Sequence, residues 1–358
     1  MKILHFFERS KFLGSYLLFL KRNYDINAHH FVIIKEYTKK FDFDDKLLDG
    51  FHVQYISRNN LWSAYKSIKS CENYDSIILH SLFLPVNLML CLSINRKYLS
   101  KTIWVIWGGD LGNYIGKINA KRKIWSILRN RVINKIGYVV TTNVEYNLLV
   151  NSFQVKPIKL EAFYPYLAEQ VTIPNEESCD DTDVRIFLGN YATKANRHIE
   201  TLHLLSKFKS ENLKIFIPLS YGDMDYAKEV ISVAKEIFGE KAIILTEFMN
   251  REDYGKLLST MDIGIINSIK QIALGSIFSL LLTETKIYTD PHGFIWDIVS
   301  NEQELKIYSI DEIRNCTFED FIGIDPKITS ENKSKAISFL SEENFKRQWD
   351  NVFNRDNK

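Results

Sequence analysis

Short apolar runs alternate with segments whose apolar residues recur every three to four positions, and the two periods take turns along nearly the whole chain. In the first half the runs fall at Lys2–Phe6, Phe31–Lys35, His52–Ile56, Ser76–Leu79, Ile103–Trp107 and Tyr138–Thr141, each predicting a strand. Helical spacing lies between them: Leu61, Ala64, Tyr65 and Ile68 share one face of a helix over Leu61–Ser70. A polar stretch, Thr172–Asp183, interrupts the pattern. A second series follows, with strands at Val184–Leu188, Lys214–Ile217, Ala242–Leu245, Ile263–Ile266, Lys286–Tyr288 and Leu305–Tyr308. Helices over Arg197–Lys207, Tyr226–Phe238, Glu252–Met261 and Ser276–Thr283 fit between, and an amphipathic helix of about Glu331–Val352 closes the chain.

Regular strand–helix alternation predicts an α/β protein with mostly parallel sheets. A length of 358 residues exceeds one ordinary core. The expected organisation is a Rossmann-like domain over 1–165, a linker over 166–183, a second Rossmann-like domain over 184–340, and a terminal helix over 341–358 able to pack back on the first domain. Ser76–Asn95 carries no charge and approaches a bilayer-spanning length, but Pro85 divides it. It reads as strand, loop and a buried helix from Val86 to about Ile94.

Composition narrows the class. Hydrophobic residues make up 46% and charged residues 25%, as in globular proteins, and a net charge of +2 gives no general attraction to nucleic acid. The four cysteines are scattered without zinc spacing, which suits a reducing cytoplasm, and Glu8 stands where a signal peptide needs an apolar core.

Candidate chemistry gathers where strands end, since open parallel sheets bind ligands beyond their carboxyl edge. Thr102–Leu111 reads as a strand, a Gly108-Gly109 turn and then Asp110. Asp110, His80 and His5 each close or occupy a strand and are candidates for the base that takes a proton from an acceptor hydroxyl. The alternatives are a turn carboxylate and satisfied core histidines. In the second half, Gly189-Asn190, Lys194 and Asn196 form a polar loop ahead of a helix and could cradle a diphosphate, or simply cap the helix. Lys270, Gln271, Gly275 and Ser276 repeat the arrangement after the Ile263–Ile266 strand. Glu247 could accept sugar hydroxyls, and Tyr221 could stack on a base or sugar. Lys117–Lys135 holds seven basic residues and no acid, so Lys121, Arg122, Lys123, Trp125 and Arg129 suggest a helix against anionic lipid or an acceptor pyrophosphate. The Asp pairs 42/44, 181/183 and 223/225 do not follow strong strands and read as surface loops, so neither a metal nor another cofactor is expected. Two Rossmann-like domains facing across a cleft form the GT-B architecture of glycosyltransferases and of some sugar-nucleotide epimerases.

In order and spacing these residues resemble the Fuc4NAc (4-acetamido-4,6-dideoxy-D-galactose) transferases of enterobacterial common antigen synthesis, also called 4-alpha-L-fucosyltransferases, glycosyltransferase family 56. The resemblance rests on His80, Ile106-Trp-Gly-Gly-Asp-Leu111, Tyr164-Pro165, Gly189-Asn190, Asn196-x-His198, Pro218-x-x-Tyr221, Glu247, Asp253-Tyr254, Lys270-Gln271, Gly275-Ser276 and Phe294-x-x-Asp297. It implies a dTDP-sugar donor on the second domain and an undecaprenyl-diphosphate-linked saccharide acceptor. It also implies a peripheral position on the cytoplasmic face of the bacterial inner membrane. The chain departs from the family pattern at Gln271-Ile-Ala-Leu-Gly275 and at Gly109 and Gly112, so an O-antigen enzyme with a related donor fits as well as a common-antigen enzyme. An epimerase of like fold and a non-catalytic two-lobed sugar-binding protein are the competing classes.

Overall fold

The computed structural model describes residues 1–34, 44–111, 120–171 and 183–355, with 120–122 described by backbone alone. Asp42, Lys117, Asp181, most of the Thr172–Asp183 stretch and the side chains of Lys121 and Arg122 lie outside this description. The chain divides into two compact units, Met1–Tyr166 with Glu342–Lys358, and Leu167–Ser341.

The first unit contains strands β1 (Ile3–Glu8), β2 (His29–Ile34), β3 (His52–Ile56), β4 (Ser76–His80), β5 (Thr102–Val105), β6 (Tyr138–Val140) and β7 (Ile158–Leu160). Its helices are α1 (Lys11–Asn23), α2 (Leu61–Ser70), α3 (Val86–Ile94), α4 (Ala120–Ile133) and α5 (Asn143–Phe153); α6 (Tyr166–Gln170) begins on the last residue of this unit's main segment and otherwise belongs to the second unit. The strands form one parallel sheet in the order β3-β2-β1-β4-β5-β6-β7. Both faces are covered, which explains the near-continuous apolar strands. On one face Leu4, Phe6, Ile77, Leu79 and Trp104 pack with Ala64 and Ile68 of α2, Leu88 and Leu92 of α3 and Val132 of α4. On the other lie His5, Phe7 and His80, in ring contact with Tyr16 of α1.

The second unit contains β8 (Val184–Leu188), β9 (Leu213–Pro218), β10 (Ala242–Leu245), β11 (Ile263–Ile266), β12 (Lys286–Thr289) and β13 (Tyr308–Ser309). Its helices are α7 (His198–Leu205), α8 (Met224–Phe238), α9 (Arg251–Ser259), α10 (Leu274–Leu282), α11 (Phe294–Trp296), α12 (Phe318–Ile322) and α13 (Pro326–Leu340). The sheet is again parallel, in the order β10-β9-β8-β11-β12-β13. Both sheets reverse their winding beside the first strand, between β1 and β4 and between β8 and β11. Such switch points are where doubly wound sheets open a crevice for ligand.

Three expectations change. The closing amphipathic helix is two helices, α13 and α14 (Glu342–Phe353), because Ser341 takes an extended conformation. The α14 helix belongs to the first unit: Trp349 is buried and its indole donates to the Phe163 carbonyl at 3.0 Å, and Arg355 reaches the Ser76 hydroxyl at 2.8 Å. Strand β5 stops at Val105, two residues early, because the Trp107 amide donates to the Asp110 carboxylate instead of continuing the ladder. Strand β7, Ile-Lys-Leu, is too short to give a periodic signal.

Candidate functional site

At the carboxyl edge of the first sheet, Asp110 is wholly buried. One carboxylate oxygen accepts from the Leu82 amide and the Trp104 indole, both at 2.8 Å, and the other from the Trp107 amide at 2.8 Å. Burial raises its pKa and these donors pull it down. A carboxylate so enclosed ties the ends of β4 and β5 together, and it is not offered to an acceptor hydroxyl as the sequence suggested. Close by is a group that sequence reasoning missed. Glu145 is buried at the start of α5, one oxygen accepting from the Thr141 hydroxyl at 2.9 Å and the other without a hydrogen-bond partner. Burial, reinforced by the charge of Asp110, pushes its pKa up to about 7. In the sequence Thr142-Asn-Val-Glu145 reads as an ordinary helix cap, and the Thr142 hydroxyl does accept from the Glu145 amide.

His80 and His5 are both buried. His80 Nε2 lies 3.1 Å from His5 Nδ1, and His5 Nε2 lies 3.0 Å from His29 Nδ1. At the outer end His80 Nδ1 meets the Tyr164 hydroxyl at 2.5 Å, which also accepts from the Trp107 indole at 3.2 Å. The sequence offered Tyr164 only within the Tyr164-Pro165 motif and His29 not at all, because the four residues are brought together by three strands and a loop.

The basic helix turns out two-sided. Trp125, Leu128, Arg129 and Val132 share its inner face at helical spacing. The Trp125 indole donates to the Leu84 carbonyl at 3.0 Å, and Arg129, 2% exposed, donates to the Leu111 carbonyl at 3.0 Å between the rings of Trp125 and Phe153. Neither faces outward, contrary to expectation. Lys123 and Arg131 do, with Ile124 (52% exposed) and Ile127 (48%).

In the second unit, Gly189 ends β8 at φ +73°, and a Cβ there would stand 2.2 Å from His198 Nε2. Asn196 donates to the Asn190 side chain at 3.0 Å and to the Tyr191 carbonyl at 2.9 Å. Four buried side chains in this region carry atoms without a hydrogen-bond partner: Asn196 Oδ1, both ring nitrogens of His198, Asn267 Oδ1 beyond β11, and Thr289 Oγ1 at the end of β12. Buried polar atoms are normally paired, so this set marks a place prepared for water or a polar ligand. Lys194, Lys270, Gln271 and Glu247 are exposed. Helix α10 starts at Leu274, two residues earlier than expected, and Ala273 gives it no side-chain cap, leaving its N-terminal amides open. Gly275 lies in its first turn with Gln170 Cβ 2.9 Å from its own missing Cβ, so its small size admits that side chain and not a phosphate. Ser276 pairs with the Tyr254 hydroxyl at 2.9 Å. Tyr221 stacks on Tyr191, centroids 5.1 Å apart and planes 4° from parallel, beside Phe248, which is 80% exposed. Tyr191 and Phe248 were not legible as partners because they come from separate loops. The described members of the Asp pairs serve locally: Asp44 and Asp223 cap helices and Asp183 pairs with Lys214. Among the described residues no group of three or more His, Cys, Asp or Glu is placed to hold a metal.

Buried neutral histidines make stability depend on pH. Burial lowers His29 and His198 to about 4, and His5 and His80 well below the usual value. Unfolded, each titrates near ~6.5. As pH falls from there toward 4, the unfolded chain takes up protons that the folded chain refuses, and each histidine costs about 1.4 kcal/mol per pH unit. His30 is lowered by burial as well, and Glu145 and Asp110, raised by burial, act in the opposite sense, as two groups against five. The thermal midpoint is therefore expected to fall between pH 6.5 and 5 in a scanning experiment, whereas a flat or rising midpoint means the histidines are charged in the fold.

Two parallel sheets in this order, each with its own crevice point, define a GT-B glycosyltransferase fold. The same fold appears in a glycosyltransferase from Rickettsia africae (TM-score 0.66, 14% identity, 100% of this chain and 98% of that one). It appears also in Anabaena HepE in complex with UDP-glucose (TM-score 0.64, 11% identity, 99% and 100%). A third similar structure is the E. coli trehalose-6-phosphate protein bound with UDP-2-fluoro glucose (TM-score 0.62, 10% identity, 99% and 98%). Residues 12–358 match the family described as 4-alpha-L-fucosyltransferase, glycosyl transferase group 56, and the chain belongs to it. It is a hexosyltransferase, and its reaction moves a sugar from a sugar-nucleotide donor, whose nucleotide leaves, to a saccharide acceptor. None of its described helices is long and apolar enough to cross a membrane.

Proposed function

We propose that this chain transfers a deoxyamino sugar, Fuc4NAc or a close relative, from a dTDP-linked donor to an undecaprenyl-diphosphate-linked saccharide during assembly of a bacterial surface polysaccharide. The product is O-antigen or enterobacterial common antigen. The observation that carries the donor half is the uncapped N-terminus of α10 at the carboxyl edge of the second sheet, with unpartnered polar atoms at the ends of β11 and β12. Open amides and a positive helix end favour a diphosphate and stabilise it as leaving group. Lys194, Lys270 and Gln271 add charge and an amide, Ser276 a hydroxyl, the Tyr191–Tyr221 stack a platform for the base, and Glu247 a partner for sugar hydroxyls. The positive charge comes from protein groups, so no metal or other cofactor is needed.

The acceptor half rests on the first unit. Helices α2, α3 and α4 are successive neighbours. Leu61, Trp62 and Tyr65 of α2 and Ile124 and Ile127 of α4 are exposed, with Lys66 over the Trp62 ring and Lys123 and Arg131 alongside. Apolar residues interleaved with lysines suit an anionic lipid surface, which supports a peripheral position at the cytoplasmic face of the inner membrane.

The test is transfer in vitro from dTDP-Fuc4NAc to a synthetic undecaprenyl-diphosphate saccharide in vesicles containing anionic lipid. Product is expected, undiminished by EDTA, and dTDP is expected to raise the thermal midpoint more than UDP or GDP does. Loss of activity on chelation, restored by manganese, overturns the metal-free mechanism. A preference for UDP or GDP overturns the donor, and conversion of the free sugar nucleotide without any acceptor returns the epimerase reading.

A further inference from the structure

A line of four hydrogen-bonded side chains crosses one face of the first sheet from edge to edge. His29 opens β2, His5 sits in the middle of β1, and His80 closes β4. In register, Ile3 faces His29 and His5 faces both Phe31 and Ile78, so the three imidazoles lie on one side of the sheet along a diagonal. Tyr164, half-buried, continues the line beyond the carboxyl edge at the switch point between β1 and β4. Rings of Phe7, Tyr16, Phe31, Trp349 and Phe353 surround the row, leaving its members one another as partners.

A neutral imidazole has one N–H and one lone pair. Three of them in series are satisfied only if every N–H points the same way along the line. Two such arrangements exist, and moving each proton one step along its hydrogen bond converts one into the other. That is the defining property of a proton wire.

We propose that Tyr164, His80, His5 and His29 form a proton relay that receives the proton of the acceptor hydroxyl during glycosyl transfer. This rests on the reading that the first unit carries the acceptor. In the resting arrangement the Tyr164 hydroxyl donates to His80 Nδ1, His80 Nε2–H to His5 Nδ1, and His5 Nε2–H to His29 Nδ1. The Trp107 indole occupies one acceptor position of the Tyr164 oxygen, and the acceptor hydroxyl takes the other. As the acceptor oxygen bonds to the anomeric carbon and the carbon–phosphate-oxygen bond breaks, its proton passes to the Tyr164 oxygen. The Tyr164 proton moves to His80 Nδ1, the His80 Nε2 proton to His5 Nδ1, and the His5 Nε2 proton to His29 Nδ1. His29 releases its other proton to water at the sheet's far edge as the new one arrives; burial opposes a lasting positive charge there, and exposed Asp25 offsets part of that cost. The relay resets in reverse: His29 regains a proton from water, each proton steps back, and Tyr164 gives the acceptor's proton to water. Tyr164 is the catalytic residue, and the histidines act through it. Concerted movement suits this interior, because burial penalises an imidazolium at His5 or His80.

Two measurements test the relay. In protein labelled with 15N-histidine, the rings of His5, His80 and His29 are expected to be neutral at pH 7, with their protons in one sense and with scalar coupling across both N–H···N bonds. A charged His5 or an absent coupling overturns the relay, and this arm needs no substrate, so it stands even if the donor is misassigned. In the transfer assay, Tyr164→Phe and His5→Gln are each expected to lower kcat about 100-fold, the scale of general base catalysis, with the donor KM unchanged. The double variant is expected to be no slower than the worse single one, since the chain fails as a unit. Mixed H2O/D2O should give a curved rate dependence for the native enzyme and a linear one for either variant. Additive losses, kcat within threefold of native, or a linear native profile overturn the relay. Should His5→Gln fold poorly, Tyr164→Phe, altered at the half-buried end, decides alone.

Discussion

Gly189→Ala is expected to weaken dTDP binding at least tenfold and to lower the thermal midpoint by about 5–10 °C, at ~2–4 °C per kcal/mol for a unit of this size. Two costs combine. At φ +73° an alanine adopts the left-handed region at roughly 1–2 kcal/mol. Its Cβ would then lie 2.2 Å from Nε2 and 2.9 Å from Cδ2 of His198, a fully buried ring in the first turn of α7. Relief requires moving α7 or the loop, an overpacking cost of ~1–3 kcal/mol. Either movement displaces the Asn190–Asn196 contact and the His198 ring from the proposed diphosphate site. Gly239→Ala is the control for backbone strain without a clash: φ is +57° and ψ −126°, a region disfavoured for alanine, but nothing lies within 4 Å of its added Cβ. It should cost only the conformational part and leave dTDP affinity intact. Calorimetry and nucleotide thermal shift on the two variants separate these contributions. Equal behaviour of the two removes the packing argument and with it the importance of the His198 approach.

Asp110→Asn is expected to abolish transfer by loosening the first unit while dTDP still binds the second. The carboxylate receives three N–H donors, and an amide offers one oxygen and turns an NH2 toward donors already present. Leaving buried donors unmatched costs ~1–3 kcal/mol apiece, so a fall of ~3 kcal/mol, or ~6–12 °C in midpoint, is expected. A general base would behave differently: its amide variant would keep the native midpoint and lose only kcat. Thermal unfolding and transfer measured on one preparation therefore decide whether Asp110 holds the loop or takes the proton. A native midpoint with lost turnover would return it to the chemistry.

Elements whose signal is local were readable in the chain. Strands β8 and β11 occupy the expected residues because buried parallel strands are apolar runs with polar breaks on both sides, and the edge strands β3 and β10 match as well. The GT-B fold followed from their alternation. What escaped reading was non-local. Asp110 looked like an exposed loop acid because nothing beside it in sequence shows that the Leu82 amide and the Trp104 indole converge on it. The basic run of α4 gave its charge but not its phase, and a half-turn of helix decides that Arg129 serves the interior while Lys123 does not. Glu145 was hidden by a cap pattern that is itself real. His5 and His80 were visible as histidines near strand ends, but their alignment with His29 depends on strand register, which only the assembled sheet fixes. Ala273, an uncapped position at φ +61°, carries no sequence mark at all.

The assignment of α14 to the first unit sets a schedule for making the protein. Ribosomes deliver residues 1–166 before the second unit, yet the helix that supplies Trp349 and Phe353 emerges only after the whole of it. Until then Tyr16, His80 and the neighbouring rings lack their cover. Nascent first units must therefore wait open-faced while residues 167–341 are made, with aromatic surface exposed throughout that interval.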